Sequence, residues 1–381
     1  MECPVSHWIG RSWHVHRASG FDFSWTYGNA IWSFDCRCRL QMRTHVLRAT
    51  AVATTLLCAV CSRALSPLSV REEPVRFSSG DATLAGTLFI PDQPGRHPAV
   101  VLFHGSGPQE RDSYRGRWFA NWGITALAYD KRGTGESTGD YRKVPFQDLV
   151  EDGLAGIALL KTRSDVDLKR IGVWGQSQGG WLGPLAAARS SDVAFVIAVS
   201  GPGVTPGEQM IFYYASELRN RGYSDQEISR ASDVRRQVWS YMATGDGYER
   251  ANSAIQRAKR ERWYADLCAQ QDDLIATFEH ATSDRNQNWF KSEMNYDPVA
   301  TLKKLKVPVL FLFGSQDRLV PVPTSVEIIQ QTLSADSHQD FTVKVFPGAD
   351  HGLSVVDASG SSRLAPGYED TMKEWLLRHV R

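Results

Sequence analysis

Ile171-Gly-Val-Trp-Gly-Gln-Ser177-Gln-Gly-Gly-Trp-Leu-Gly-Pro-Leu-Ala-Ala-Ala-Arg189 is the stretch whose reading decides the fold. Ile171 to Trp174 is a short apolar run that suits a buried strand, and Trp181 to Arg189, with its alanine-rich centre, reads as a helix. Between them lies Gly175-Gln-Ser-Gln-Gly179, a turn whose glycines permit close backbone approach. A serine on a tight strand-to-helix turn presents its hydroxyl above the end of a sheet. Ser177 is therefore the candidate nucleophile. The same Gly-x-Ser-x-Gly spacing recurs at Gly135-Glu-Ser-Thr-Gly139. Ser137, however, sits several residues beyond its strand, with no helical pattern before about Pro145, and reads as a loop residue.

Outward from this turn the same rhythm repeats. Residues 69 to 77 and 82 to 90 form an opening hairpin around Ser79-Gly80-Asp81, followed by a loop from Pro91 to Pro98. Ala99 to Phe103, Ile124 to Tyr129, Val193 to Val199, Val307 to Phe313 and Phe341 to Phe346 are further short apolar runs. Several are nearly continuous, as strands buried on both faces must be. Helical patterns at about 145 to 163, 178 to 189, 323 to 333 and 367 to 379 alternate with them, which predicts an α/β fold with a mostly parallel sheet and helices on both faces. From Pro206 to Tyr296 there is no convincing strand. Ile228, Ala231, Val234, Val238, Trp239 and Met242 share one helical face there, so 206–296 reads as a helical insertion. Its Trp263, Tyr264, Trp289, Phe290 and Tyr296 are candidates for a pocket wall, although aromatics at helical spacing are commonly core.

A serine hydroxyl needs a histidine to accept its proton and a carboxylate to orient the imidazole. His351, in Pro-Gly-Ala-Asp-His-Gly after the run ending at Phe346, stands in a loop at a strand's carboxyl end, where α/β sheets place reactive groups. Asp317, in Gly314-Ser-Gln-Asp-Arg-Leu-Val-Pro321, follows another strand in the same way. Asp350 is its rival, but adjacency to His351 points its side chain elsewhere. The negative charge of a tetrahedral intermediate needs backbone N–H donors. Gln178, at a helix N-terminus, supplies one, and His104-Gly-Ser-Gly107 supplies the other through Ser106 or, as near rival, Gly105. His104 itself reads as structural.

These motifs, with Tyr129-Asp-Lys-Arg-Gly-Thr-Gly-Glu-Ser137, occur in an order that resembles the α/β-hydrolase superfamily from about residue 70 to the C-terminus. The chain is most similar to its serine aminopeptidase-like, dienelactone-hydrolase-like and small-ester esterase branches. The resemblance implies an eight-stranded sheet, a Ser177, Asp317 and His351 triad, and a lid at 206–296 between core segments 65–205 and 297–381. It implies a structural role for Asp130 to Arg132, to which no chemistry is assigned. Gly-Ser-Gly fits three-glycine lipases less well, and a serine at 177 disfavours dehalogenases. The first expectation is a serine esterase acting on small-molecule esters, with lid aromatics shaping the pocket. A peptidase anchored by Glu208, Glu217, Asp246 or Glu249, a thioesterase, and a catalytically silent binding protein are the alternatives.

Composition narrows the field further. The chain has 381 residues, with 42% hydrophobic and 22% charged, which excludes disorder throughout and a multi-span membrane protein. Its 43 basic against 42 acidic residues leave a formal charge of +1, so no global field attracts nucleic acid. No dinucleotide fingerprint, phosphate loop or His-Glu-x-x-His zinc motif occurs, and neither cofactor nor metal is expected. Oligomeric state is not legible. Cys3, Cys36, Cys38, Cys58 and Cys61 precede residue 62, leaving Cys268 alone after it. Met42-Arg-Thr-His-Val-Leu-Arg48, the apolar run Ala49 to Cys61, and Ser62-Arg63-Ala64 match a secretory signal too short to span a bilayer. The expectation is translation from Met42, export to the periplasm or medium, cleavage after Ala64, and a mature chain without an internal disulfide or a membrane span. Residues 1–41 then form a non-native or disordered extension. A genuine N-terminal extension, a metal-binding tail using Cys36, Cys38 and nearby histidines, and lipid attachment at Cys58 or Cys61 are the lesser alternatives.

Overall fold

The computed structural model describes residues 69–268, 292–293, 295–336 and 340–380. The expected extension, signal segment and cleavage point, together with Trp289 and Phe290, lie outside them. In chain order the strands are β1 (Val70–Ser79), β2 (Ala82–Pro91), β3 (His97–Phe103), β4 (Thr125–Tyr129), β5 (Val166–Gln176), β6 (Val196–Val199), β7 (Val309–Gly314), β8 (Phe341–Phe346), β9 (Ser354–Val356) and β10 (Ser362–Leu364). The helices are α1 (Ser113–Asn121), α2 (Phe146–Lys161), α3 (Gly179–Arg189), α4 (Pro206–Asn220), α5 (Asp225–Thr244), α6 (Tyr248–Ala258), α7 (Trp263–Cys268), α8 (Pro298–Leu302), α9 (Val322–Ala335) and α10 (Tyr368–His379).

Eight strands form one sheet in the order β1-β2-β4-β3-β5-β6-β7-β8. Strand β2 runs antiparallel to both neighbours, and every pair from β4 to β8 is parallel. Successive side chains on a strand face opposite sides, so each apolar run feeds two cores. Ala99, Val101 and Phe103 of β3, with Val309, Phe311 and Phe313 of β7, join one core with Val150 and Ile157 of α2. Val100 and Leu102, with Leu310 and Leu312, join the other with Phe119 of α1 and Trp375 of α10. This two-sided burial explains why the strands read as continuous rather than alternating.

Residues 206–268, the first part of the insertion, carry the helices α4 to α7. Thr205 and Glu208 form a capping box at the start of α4, and Ser224 and Glu227 form another at α5, which ends on Gly245 at φ 83°. The α5 face carrying Ile228, Ala231, Val234, Val238 and Met242 is buried, and so is Arg235 on it, its guanidinium over the Tyr214 ring. The insertion touches the loop after β7 through Gln209, whose Nε2 donates to the Leu319 carbonyl over 2.5 Å.

Candidate active site

The carboxyl ends of β3, β5, β7 and β8 converge on one side of the sheet, and each delivers a candidate group. After β5 the chain turns so sharply that Ser177 adopts φ 57°, an uncommon conformation for a residue with a side chain. The turn closes because residue 175 is glycine: a Cβ there would collide with the Gly179 carbonyl. Ser177 N–H is tied to the Val199 carbonyl of β6 over 2.9 Å, and α3 departs immediately behind it.

After β7, Asp317 is 7% exposed and its two carboxylate oxygens have separate tasks. Oδ1 accepts from Leu319 N–H over 2.8 Å and Val320 N–H over 3.0 Å, while Oδ2 lies 2.8 Å from His351 Nδ1. The carboxylate thereby holds the proton on Nδ1 and leaves Nε2 as an acceptor. The His351 carbonyl receives Ser200 Oγ–H over 2.9 Å and Gln176 Nε2–H over 3.1 Å, which anchors its loop to the ends of β6 and β5. Asp350 is occupied differently: Oδ1 accepts from Gly352 and Ser354 N–H and closes its own turn.

Ser177 and His351 line the same cavity, of about 610 Å³, together with Phe103, Ser106, Tyr129 and Trp174. In the loop after β3, Gly105 N–H is taken by Gln109 Oε1 over 2.9 Å. Ser106 N–H and Gln178 N–H have no hydrogen-bond acceptor among the described residues. Of the two rivals for the oxyanion donor, the Ser106 amide is thus the one left open. His104 is half-buried, with Nε2 donating to the Tyr129 carbonyl over 2.6 Å. Burial and the neighbouring Lys131 charge lower its pKa to about 4, so it stays neutral and holds β3 to β4.

The second Gly-x-Ser-x-Gly serine is elsewhere. Ser137 Oγ donates to the Asp130 carbonyl and accepts from Ala85 N–H, pinning its loop to β2. Around it, Arg111 grips the Asp130 carboxylate through Nε at 2.9 Å and Nη2 at 2.6 Å, and buried Arg132 pairs with Asp152 in the same two-pronged way.

Among the described residues of the insertion, none lines the cavity, so the expected aromatic wall is not formed by Trp263, Tyr264 or Tyr296. Trp263, Tyr264 and Tyr296 are buried in packing, and Tyr296 lies tilted against Phe146 and edge-on to Trp181 in the core. Those large rings stabilise more by burial than at a cavity wall. Of the acidic anchors considered for a peptide amine, Glu208 caps α4, and none of Glu208, Glu217, Asp246 and Glu249 lines the cavity. Among the described residues the wall includes groups not anticipated: Glu110, Asp112 and Arg115, leading into and along α1. Arg115 pairs with Asp112, reaches Gln176 Oε1 over 3.2 Å and lies 4.7 Å above the Trp174 ring.

An open serine on a strained turn, a histidine oriented by a buried aspartate, and a mostly parallel eight-stranded sheet define an α/β hydrolase. Within that class the chain belongs to the serine aminopeptidase S33 family of hydrolases, whose model matches residues 95–355. The relatives it resembles include the esterase EstD of Thermotoga maritima, 27% identical over 257 residues, covering 64% of this chain and 53% of that protein. Human dipeptidyl peptidase 8 is 32% identical over 161 residues, covering 38% of this chain and 18% of that protein. The chain thus spans about half the length of the first relative and less of the second. In fold it resembles the Pyrococcus furiosus esterase Pf2001, with TM-score 0.51 and 17% identity over 83% of this chain and 94% of that one. Among the described residues no helix is long and apolar enough to cross a membrane.

Proposed function

We propose that this chain hydrolyses small carboxylic esters through an acyl-enzyme on Ser177. The observation that carries the reading is that His351, paired with buried Asp317, lines the same cavity as Ser177. Ser177 Oγ attacks the ester carbonyl while His351 Nε2 accepts its proton, and Asp317 stabilises the imidazolium that forms. The oxyanion is held by Ser106 and Gln178 N–H, the latter at the start of α3, where the helix dipole favours negative charge. His351 returns the proton to the departing alcohol, and water then attacks the acyl group with His351 again as base. Phe103, Tyr129 and Trp174 give the cavity apolar surface, and the carboxylates of Glu110 and Asp112 disfavour anionic esters.

A peptidase is the second reading. It is favoured by the family's description and by Glu110, an exposed carboxylate on the cavity wall suited to a peptide's N-terminal ammonium. The test is turnover of acyl esters of increasing chain length beside aminoacyl and prolyl amides, by the wild type and Ser177→Ala. Ser177-dependent ester cleavage with little amide cleavage supports the esterase. Faster amide cleavage, lost in Glu110→Gln, replaces it with the peptidase, and no Ser177-dependent turnover rejects both.

The same reading takes 206–296 as a cap on a core of 65–205 and 297–381, and places the enzyme outside the cytoplasm. Export rests on the basic, apolar and small-residue succession from Met42 to Ala64. Edman sequencing of the product recovered outside the cell is expected to begin at Leu65, and a product beginning at Met1 overturns export by this signal.

A further inference from the structure

Lys131 is 2% exposed, on the loop that leaves β4. Its ammonium has three protons and three oxygen acceptors: the Gly105 carbonyl at 2.9 Å, the Gly107 carbonyl at 3.2 Å and Gln178 Oε1 at 2.9 Å. These acceptors belong to the two arms that flank Ser177. The Gly105 carbonyl and the Ser106 N–H are the two ends of one planar trans peptide and point in opposite directions. A cation fixed on the carbonyl therefore sets the direction of the N–H and, by polarising the unit, strengthens it as a donor. On the other arm the same ammonium holds the side chain of Gln178, whose own N–H is the second donor. Gln178 Nε2 in turn donates to Glu293 Oε1 over 2.8 Å, so the network ends on a residue of the segment 206–296.

We propose that Lys131 is a positioning residue that polarises and aligns the Ser106 amide of the oxyanion hole and fixes the Gln178 arm that carries the other. The inference rests on the esterase reading above. A neutral donor satisfies carbonyl oxygens at far lower desolvation cost than a buried ammonium, so the charge itself needs a reason. Placed one peptide unit behind the Ser106 N–H, it acts on the negative charge that appears only during reaction.

The groups facing Lys131 are few. His104 is neutral, Asp152 and Glu293 are acidic, the Tyr141 ring lies 4.8 Å from Nζ, and Asp130 and Arg132, its chain neighbours, are each paired elsewhere. Burial lowers the Lys131 pKa to about 8, against the opposing pull of Glu293 and then Asp152. The charged form is thus present below about pH 8 and lost above it. Glu293 is pushed upward by its own burial, against the opposing pull of its Gln178 hydrogen bond and of Lys131.

The test compares the full chain with Lys131→Met and Glu293→Gln, after circular dichroism has verified folding. It reads kcat and KM for p-nitrophenyl acetate from pH 6 to 10, and inhibition by a trifluoromethyl ketone, whose hemiketal carries the oxyanion. Lys131→Met is expected to lower kcat on the order of 10 to 100-fold at pH 7, with KM within about threefold, and to weaken the ketone in proportion. The wild-type kcat is expected to fall as pH rises through about 8, a limb missing in Lys131→Met and moved to lower pH in Glu293→Gln. A folded Lys131→Met with kcat within about twofold, or equal losses in ground-state and ketone binding, overturns the proposal. If Lys131→Met does not fold, the other two proteins decide: a wild-type kcat flat to pH 10, or a limb unmoved in Glu293→Gln, overturns it. Absence of Ser177-dependent turnover in the wild type is a separate result, which removes the esterase reading and this inference with it.

Discussion

The carboxyl edge of the sheet and the helical insertion are both rich in polar and aromatic residues, yet they spend them in opposite ways. At the sheet edge, Ser177, Asp317 and His351 each follow a strand and are held by a few directed bonds to neighbouring strand ends. In the insertion, Trp263, Tyr264 and the α5 face are buried against other helices, and the polar residues cap helix ends. The candidate catalytic groups therefore sit on strand ends that cannot move without the core moving, whereas the described helices of the insertion are held by packing among themselves. A side chain's type says little about its role until the element under it is known.

Substitutions can break or sharpen this contrast. The largest effect belongs to Ser177→Ala, which is expected to lower ester kcat by about 10⁴-fold or more while leaving thermal unfolding unchanged, read by steady-state kinetics beside calorimetry. Asp317→Asn keeps the shape but no longer favours the Nδ1–H tautomer of His351, and a loss in kcat of about 10³ to 10⁴-fold is expected. A loss under tenfold there shows that another group orients the histidine.

Stability substitutions should behave in the reverse way. Arg132→Met leaves Asp152 buried without its partner, with an expected destabilisation of about 3–5 kcal/mol in urea unfolding. Leu218→Ala removes a buried side chain of α4 and is expected to lose about 2–5 kcal/mol, while kcat of the folded fraction stays within about twofold. A large kcat loss there brings the insertion into the chemistry and erases the contrast. The smallest effect is that of Ser137→Ala, the other Gly-x-Ser-x-Gly serine: about 1–3 kcal/mol of stability from two lost buried hydrogen bonds, and no change in kcat.

How far all this was readable from sequence follows from which interactions are local. The strands were legible because burial on both faces makes them continuous apolar runs, and Ser177, Asp317 and His351 because each sits just past such a run. Helix α1 was not. Arg115, Gly116 and Arg117 interrupt its apolar face, and residue 116 is small because the Phe89 ring occupies the space a Cβ would need. Arg115 and the acidic Glu110 and Asp112 before it therefore carry no local signal of belonging to the cavity. The hairpin β9–β10, three residues to a strand, is too short for any periodicity to show. Lys131 stood in plain view after β4, but its meaning lies in partners 26 and 47 residues away, which no local pattern reveals. Its position at a strand's carboxyl end was the one available signal.

Direct trapping of the covalent intermediate tests the central claim most closely. The full chain is mixed with a short p-nitrophenyl ester, quenched in acid within the first turnovers, digested, and read by mass spectrometry. An acyl group on the peptide bearing Ser177, absent from Ser177→Ala, is the predicted result. Turnover with the acyl group on Ser137 or another residue, or persisting in Ser177→Ala, contradicts the account.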